Sequence, residues 1–409
     1  MVIRKRPRTE ATTATTEEQD SSLKHEHLCQ KARRLWLFAT EQKHLDNAEK
    51  LYRAVLSREA RRRAKGEEQL MDECDVAEAR KRFFLLVCQA GRDDELVDRM
   101  KRQGFVVRLG RSVLNYQEQP LTPLTARERC PCRVFDGVLD GSSLATLSAA
   151  YVPQDAPYWT VHGYCVEPPT PYFSYVLPLG EDMSRFGALG TLALAVREAT
   201  RQGFGDAAAN RVKYAEVWAH NRPHASGHQM HFDSDDEGRG GIRNPVVGSI
   251  FYLTSGVGGP SLVTDQKFGA EALATTGWFC WPSTNRLVVF DGKVLHGVVP
   301  GKGFRKDTGT SHEGRRVTLM VALWEHIQVR DEPVQGSARP YPSLDREDQR
   351  VHAPWVQQLC STAPEKQLDP TRWQPMAPVK LDHIWETLEG EKWDSTRGMP
   401  SYDEAFQGF

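Results

Sequence analysis

The chain has 409 residues, which is enough for one large domain with a smaller one or for two domains of ordinary size. Its 53 Lys and Arg residues are balanced by 54 Asp and Glu residues, so there is no overall basic field to hold it on nucleic acid or an anionic membrane. Any binding to nucleic acid would have to be local. Apolar runs such as residues 83–88 are far shorter than the ~20 residues of a membrane span, and the N-terminus has no apolar secretory segment. The sequence therefore predicts a cytoplasmic or nuclear protein with no membrane partner.

The N-terminal part divides by composition into three segments. Residues 1–22 are polar and low in complexity, with a basic run IRKRPR, and are predicted to be a disordered tail. Residues 23–105 have apolar positions at helical spacing and are predicted to form a helical region. Residues 106–130 contain prolines and are predicted to be a linker.

From residue 131 the pattern changes to short strand-like runs with turn residues between them. One amphipathic helix, predicted for residues 184–202, interrupts these runs. The strand candidates are, in chain order, KYAEVWAH, GSIFYLTS, PSLVTDQ, RLVVFDG, VLHGVV and RRVTLMVALW. Such a series predicts that residues 131–327 form a sandwich or barrel of jelly-roll type, and that the fold class is α+β. Residues 328–409 are rich in Pro, Trp and charge and are predicted to be an irregular C-terminal extension.

The densest group of potential metal ligands lies in the segment HNRPHASGHQMHFDSDD, residues 220–236. Because alternate residues of a strand point to the same side, His231 and Asp233 can present an imidazole and a carboxylate to one ion. His296 ends the run RLVVFDGKVLH and supplies a third ligand if its strand is a neighbour in the same barrel. Two histidines and one carboxylate with open positions are typical of non-haem Fe(II) oxygenases, whereas zinc is more often held by four ligands or by thiolates.

The order and spacing of these motifs resemble the Fe(II)- and 2-oxoglutarate-dependent dioxygenases, in particular the prolyl 4-hydroxylase-like branch. The resemblance covers about half of the chain, residues 133–325. It rests on a segment like VFDGVLDGSSLATL, the His-x-Asp pair, a strand like SIFYLTS, a Gly-Gly turn, a run like RLVVFDGKVLHGVVP and a last strand GRRVTLMVALW. It implies a double-stranded β-helix in which His231, Asp233 and His296 bind Fe(II).

In this family an arginine on the last strand binds the far carboxylate of 2-oxoglutarate, and a guanidinium fork suits a carboxylate geometrically. Arg316 is the first candidate because it shares a strand face with Thr318, a pairing that many family members use on this carboxylate. Arg315 is then a solvated neighbour. The gap between His296 and Arg316 is longer than is usual in the family, with GKGFRKDTGTSHEG inserted, so Arg305 stays open as an alternative.

Aromatic and polar residues near the ligands have other interpretations. Tyr214 and Trp218 alternate on the strand before the ligands and are candidates to line the co-substrate pocket, with core packing as the alternative. The remaining histidines are interpreted as loop groups on the substrate side or in solvent, and the remaining acids as turn or surface groups: His220, His224, His228, Asp235 and Asp236.

The resemblance implies that the chain hydroxylates or demethylates a substrate C–H group, with release of succinate and CO2 from 2-oxoglutarate. O2 is then the second co-substrate, and ascorbate is a candidate accessory. An aspartate at position 233 favours this reaction over halogenation, which needs that ligand position vacant. The first candidate substrate is a protein prolyl residue, docked on the apolar faces of the helical region. The alternatives are a small metabolite, a methylated nucleobase, or a non-catalytic binding protein on the same fold.

Overall fold

The computed structural model describes residues 16–67, 73–102, 106–124, 130–165, 173–180, 182–235, 243–304, 314–329, 338–343, 353–360 and 368–387. These residues form a mixed α+β structure with a nine-stranded and a five-stranded sheet. No helix in these ranges is both long enough and apolar enough to cross a membrane. The basic run near the N-terminus lies outside the described residues.

The N-terminal region consists of helices before the first long strand. They are α1 (Thr16–Leu37), α2 (Gln42–Ala64), α3 (Glu73–Gln89), α4 (Val97–Arg102) and α5 (Arg111–Leu114). Helix α1 begins within residues 1–22, so the predicted boundary of the disordered tail is too late. The sequence from residue 16 to residue 22 contains no proline or glycine that would stop the helix.

The strands form two sheets. The large sheet has the order β1-β13-β2-β9-β6-β11-β4-β3-β12, and the small sheet has the order β14-β8-β7-β10-β5. All six strand candidates of the sequence are strands, namely β4, β6, β7, β9, β10 and β11. The bounds are β1 (Thr122–Pro123), β2 (Cys132–Asp136), β3 (Ser174–Pro178), β4 (Tyr214–Pro223), β5 (His228–His231), β6 (Val247–Tyr252), β7 (Ser261–Lys267), β8 (Gly277–Cys280), β9 (Arg286–Asp291), β10 (Val294–Val298), β11 (Arg315–Trp324), β12 (Ala338–Pro340), β13 (Gln374–Ala377) and β14 (Val379–Leu381).

Helices cover the outer face of the large sheet. They are α6 (Gly141–Tyr151), α7 (Pro157–Val161), α8 (Gly187–Phe204), α9 (Asp206–Arg211) and α10 (Pro354–Cys360). Asp140 caps α6, because its carboxylate accepts hydrogen bonds from the backbone N–H groups of Ser142 and Ser143. Strand alternation turns Val317 and Leu319 of β11 toward these helices, where both are fully buried. The alternate residues Arg316 and Thr318 therefore face the inner space between the two sheets.

The inner space is closed by apolar residues of both sheets, including Tyr252 and Phe290 from the large sheet and Val263 and Val294 from the small sheet. Two sheets that enclose one core are consistent with the predicted jelly roll. The outer face of the small sheet, in contrast, packs against the N-terminal helices in a single apolar cluster. The helical region is thus part of the same packed structure.

The predicted linker and C-terminal extension contribute strands to both sheets. In the large sheet, β1 pairs with β13 and β13 pairs with β2, while β14 pairs with β8 in the small sheet. The prediction of an irregular extension misses these strands. They have two to four residues each, which is too short for an apolar alternation to be visible in the sequence.

The helical region also holds the chain that follows β10. The side-chain amide of Gln89, at the end of α3, donates a hydrogen bond to the Pro300 carbonyl at 3.1 Å. The hydroxyl of Tyr116 donates to the same carbonyl at 3.3 Å and accepts from the backbone N–H of Lys302 at 2.9 Å. The helices therefore fix the position of the segment next to one strand of the small sheet.

Candidate metal centre

The three predicted metal ligands lie together at the edge of the small sheet. His231 ends β5, Asp233 follows two residues later, and His296 lies in the middle of β10, opposite His231 in the antiparallel register. One ligand atom from each residue lies within 4.8 Å of the other two. The side chains of His231, Asp233 and His296 are 35%, 12% and 6% exposed, so the centre is accessible from the side of His231.

Both imidazoles are oriented by hydrogen bonds to their own strands. Nδ1 of His231 lies 2.7 Å from the carbonyl oxygen of Gln229, and Nδ1 of His296 lies 3.1 Å from that of Val294. Because a carbonyl only accepts, Nδ1 carries the hydrogen and the lone pair is on Nε2. The two Nε2 atoms lie 3.5 and 3.7 Å from Oδ1 of Asp233, so all three ligand atoms converge.

The charges of the three groups suit a divalent metal. Burial lowers the pKa of His296 to about 4, which keeps this imidazole neutral. Burial also acts to lower the pKa of His231, but the hydrogen bond and charge of Asp233 outweigh it and raise that pKa. Burial acts to raise the pKa of Asp233, yet the influence of both histidines lowers it, so Asp233 is a carboxylate. Two imidazole nitrogens and one carboxylate are compatible with Fe(II) and leave coordination positions open.

Arg316 lies on the inner face of β11 and is a buried cation. It is 2% exposed, and its Nε and Nη1 atoms are buried without a hydrogen-bond partner among the described residues. Desolvation lowers the pKa of its guanidinium to about 10, so the group stays charged at neutral pH. A buried charge is costly unless an anion pairs with it. Arg316 is therefore suited to bind a carboxylate of a ligand.

Three residues define the surroundings of Arg316 that the structure describes: Gly258, Thr318 and Tyr252. Gly258 has a φ of +83°, and a Cβ there would lie 2.8 Å from Cδ of Arg316, so glycine permits the close approach. Thr318 shares the strand face of Arg316 and lies opposite Tyr252 of β6. The hydroxyl of Tyr252 is buried within 2.6 Å of Oγ of Ser261, and its influence acts to raise the pKa of Arg316. Sequence analysis missed Tyr252, although alternation in GSIFYLTS gives it the same strand face as Ile250.

The three other histidines of the segment do not share one loop. His220 lies on β4 opposite Thr318, and both of its ring nitrogens are buried without a described partner. His228 begins β5 and stacks on His231, with ring centroids 4.6 Å apart. His224 does lie between the strands, where Nδ1 accepts a hydrogen bond from the backbone N–H of Gly258 at 3.0 Å. The loop predicted to contain all three histidines is shorter in the structure than in the prediction, because β4 stays paired with β11 as far as residue 223.

The structure does not bring Tyr214 to the metal centre. Tyr214 lies opposite Trp324 at the first residue of β4, whereas His220, six residues later, is the partner of Thr318. Six residues of a strand span about 20 Å. The sequence shows that Tyr214 and Trp218 share a strand face, but not which end of the strand lies near the ligands. Trp218 lies opposite Met320, between the two ends.

The other predicted site residues have separate positions. The Cζ atom of Arg315 lies 5.4 Å from the centre of the Phe38 ring, on the opposite face of β11 from Arg316. Asp235 forms an ion pair with Arg243 at 2.8 Å and is therefore not a free surface acid. Arg305 and Asp236 lie outside the described residues, so Arg316 is the candidate for the 2-oxoglutarate carboxylate that the structure describes.

Comparisons with known proteins give structural matches alone. No family model and no curated protein matches the sequence. A prolyl-4-hydroxylase from Pseudomonas putida is 16% identical, and the match covers 53% of this chain and 100% of that chain with a TM-score of 0.30. A 2OG-Fe(II) oxygenase family oxidoreductase from Burkholderia pseudomallei is 13% identical, and the match covers 52% of this chain and 89% of that chain with a TM-score of 0.29. HygX from Streptomyces hygroscopicus, with nickel, 2-oxoglutarate and hygromycin B bound, is 13% identical. That match covers 51% of this chain and 92% of that chain with a TM-score of 0.28. Over about half its length the chain is thus similar to solved 2-oxoglutarate Fe(II) oxygenases, at TM-scores that add nothing to what its own residues indicate.

Proposed function

We propose that the chain is an Fe(II)- and 2-oxoglutarate-dependent oxygenase that hydroxylates or demethylates a substrate C–H group. The observation that carries this proposal is a His-Asp-His triad together with a buried arginine, Arg316, whose Nε and Nη1 lack partners among the described residues. Iron and 2-oxoglutarate, when bound, supply the oxidising chemistry, in which 2-oxoglutarate and O2 give succinate and CO2 as the substrate is oxidised.

The chain's own residues bind and orient the reactants. His231, Asp233 and His296 hold the metal through Nε2, a carboxylate oxygen and Nε2. Arg316 holds the far carboxylate of 2-oxoglutarate with two N–H donors, and the hydroxyl of Thr318 lies on the same strand face. Binding the metal and one carboxylate of the co-substrate at fixed positions is the main contribution that these residues would make to such a reaction.

The substrate reaches the metal from the exposed side of His231. The side of the centre at His296 is closed, because this side chain is 6% exposed and the Phe290 ring packs on it with centroids 4.6 Å apart. Excluding water from that side limits unproductive oxidation.

A protein prolyl residue is our finer proposal for the substrate, and it rests on the resemblance of the motifs. The sequence predicts a peptide-docking surface on the apolar faces of the N-terminal helices. These faces are not available for docking, because they pack against the small sheet. Succinate formation with a proline-containing peptide, compared with free metabolites and methylated oligonucleotides, tests this proposal. Stimulation by metabolites alone would overturn it.

The test of the oxygenase proposal is anaerobic addition of Fe(II) and 2-oxoglutarate to the metal-free protein. We expect the weak visible charge-transfer band of the Fe(II)–2-oxoglutarate chelate, and we expect the His231→Ala protein to lack it. A wild-type protein that binds neither Fe(II) nor 2-oxoglutarate would overturn the proposal.

A further inference from the structure

A second guanidinium lies beside Arg316. Arg222 is directly opposite Arg316 in the β4–β11 register, so both side chains leave the same face of the large sheet. The charge of Arg222 acts to lower the pKa of Arg316 and that of His231. Two like charges in directly opposed positions of a sheet disfavour each other unless anions are bound there.

The Arg222 side chain makes few polar contacts with the described residues. Its Nη1 lies 3.5 Å from the Gly227 carbonyl oxygen, a long hydrogen bond, and its Nε is buried without a partner among the described residues. No described carboxylate lies within ion-pair distance of Arg222. The residue is nevertheless partly exposed, so a ligand can reach it from outside.

Arg222 is better placed for the substrate than for 2-oxoglutarate. Arg316 is nearly inaccessible and packs closely against Gly258, which suits a site for one end of a bound co-substrate. Arg222 lies instead toward Gly227 and the start of β5, the strand that ends at the exposed ligand His231.

The histidines next to Arg222 add unused hydrogen-bonding groups. His220 is two residues before Arg222 on the same strand face, and both of its ring nitrogens are buried without a described partner. Its ring centroid lies 5.3 Å from that of His228, which stacks on His231. The guanidinium of Arg222 and the imidazole of His220, which has no described partner, therefore lie between the interior and the accessible side of the metal centre.

We propose that Arg222 and His220, with His228 as the adjoining wall, form a subsite for an anionic group of the primary substrate. This inference rests on the proposed oxygenase function. The group is a carboxylate or a phosphate ester, because a guanidinium pairs with both in a bidentate manner and the imidazole N–H adds one donor. The C–H group that is oxidised then belongs to an acidic molecule held by this anchor.

The test uses the full chain and measures binding of acetate and of inorganic phosphate by calorimetry, with and without Fe(II) and 2-oxoglutarate. We expect Arg222→Gln to weaken binding of the preferred anion at least tenfold and to change the apparent affinity for 2-oxoglutarate less than threefold. Arg316→Gln should show the reverse. A preference for acetate identifies a carboxylate, and a preference for phosphate identifies a phosphate ester.

Controls separate this inference from folding and from the proposed function. Arg211→Gln removes a half-exposed arginine before the other end of β4 and should change neither affinity. Arg222→Lys keeps the charge without the fork and should retain part of the anion binding, which shows that the site is folded. Unchanged anion binding in Arg222→Gln, or a loss of 2-oxoglutarate affinity equal to that in Arg316→Gln, would overturn the subsite. A failure of the wild-type protein to bind Fe(II) would instead overturn the oxygenase proposal.

Discussion

At the scale of single residues, the metal centre depends on three side chains that are each held by a local contact. We predict that His231→Ala abolishes retention of Fe(II), because removing one of three protein ligands leaves too few to hold the ion. The matched control is His326→Ala, since His326 is an exposed histidine far along the chain. Metal content after gel filtration is the measurement. Equal iron in the two variants would show that His231 is not a ligand.

The titration of His231 gives a pH prediction for metal binding. An imidazole binds a metal in its neutral form, so protons compete with the metal below the pKa of the group. Asp233 raises the pKa of His231 above its ordinary value of 6.5. As the pH is lowered, we therefore expect metal affinity to begin to fall before pH 6.5 is reached. The Kd of Co(II) should therefore increase as the pH is lowered from 8 to about 5.5. A constant Kd would contradict the assignment.

Arg316 is expected to determine the requirement for 2-oxoglutarate. Arg316→Ala removes a charge-assisted contact worth about 1.5–3 kcal/mol, which corresponds to a rise in the apparent KM for 2-oxoglutarate of roughly 10- to 150-fold. Arg315→Ala is the neighbouring control and should have a small effect, because Arg315 lies on the other face of β11 against Phe38. The dependence of succinate formation on 2-oxoglutarate decides between them. A large change in the Arg315 variant alone would move the role to that residue.

At the scale of elements, the turn after β6 holds two glycines with positive φ and different surroundings. A Cβ on Gly258 would meet Arg316, whereas a Cβ on Gly256 (φ +67°) would meet nothing within 4 Å. We predict that both Gly258→Ala and Gly256→Ala lose about 1–2 kcal/mol of stability through backbone strain. Gly258→Ala alone should also raise the KM for 2-oxoglutarate. Similar KM values in the two variants would show that the turn does not position Arg316.

The elements also show what the sequence can and cannot predict. Alternation in RRVTLMVALW was enough to put Arg316 and Thr318 on one face, because the period of a strand is fixed by its backbone. The partner of Thr318 depends on the register between β11 and β6, which no local pattern encodes, and Tyr252 was therefore missed. The short strands β13 and β14 exist because other strands pair with them, so their own residues carry too little signal.

At the scale of the whole molecule, the helical region and the small sheet share one apolar cluster. We predict that Phe83→Ala in α3, where the ring is 1% exposed, costs about 3–5 kcal/mol and lowers the unfolding midpoint of the entire chain. Phe38→Ala is the control, since that ring is 46% exposed, and should cost about 1 kcal/mol or less. Denaturant unfolding followed by circular dichroism and by loss of bound Co(II) should give coincident transitions. Two separated transitions would show that the helices fold independently.

The hydrogen bonds from Gln89 and Tyr116 to the segment 300–302 tie the helices to the strand that carries His296. The gene segment for the half that carries the metal centre is therefore a poor unit for recombination. A fusion or exchange that carried residues 131–327 alone would leave the backbone after β10 without its partners and the small sheet without its cover. In homologues of this protein we expect both halves to be retained together. Substitutions at the helix–strand contact in one half should be accompanied by compensating substitutions in the other.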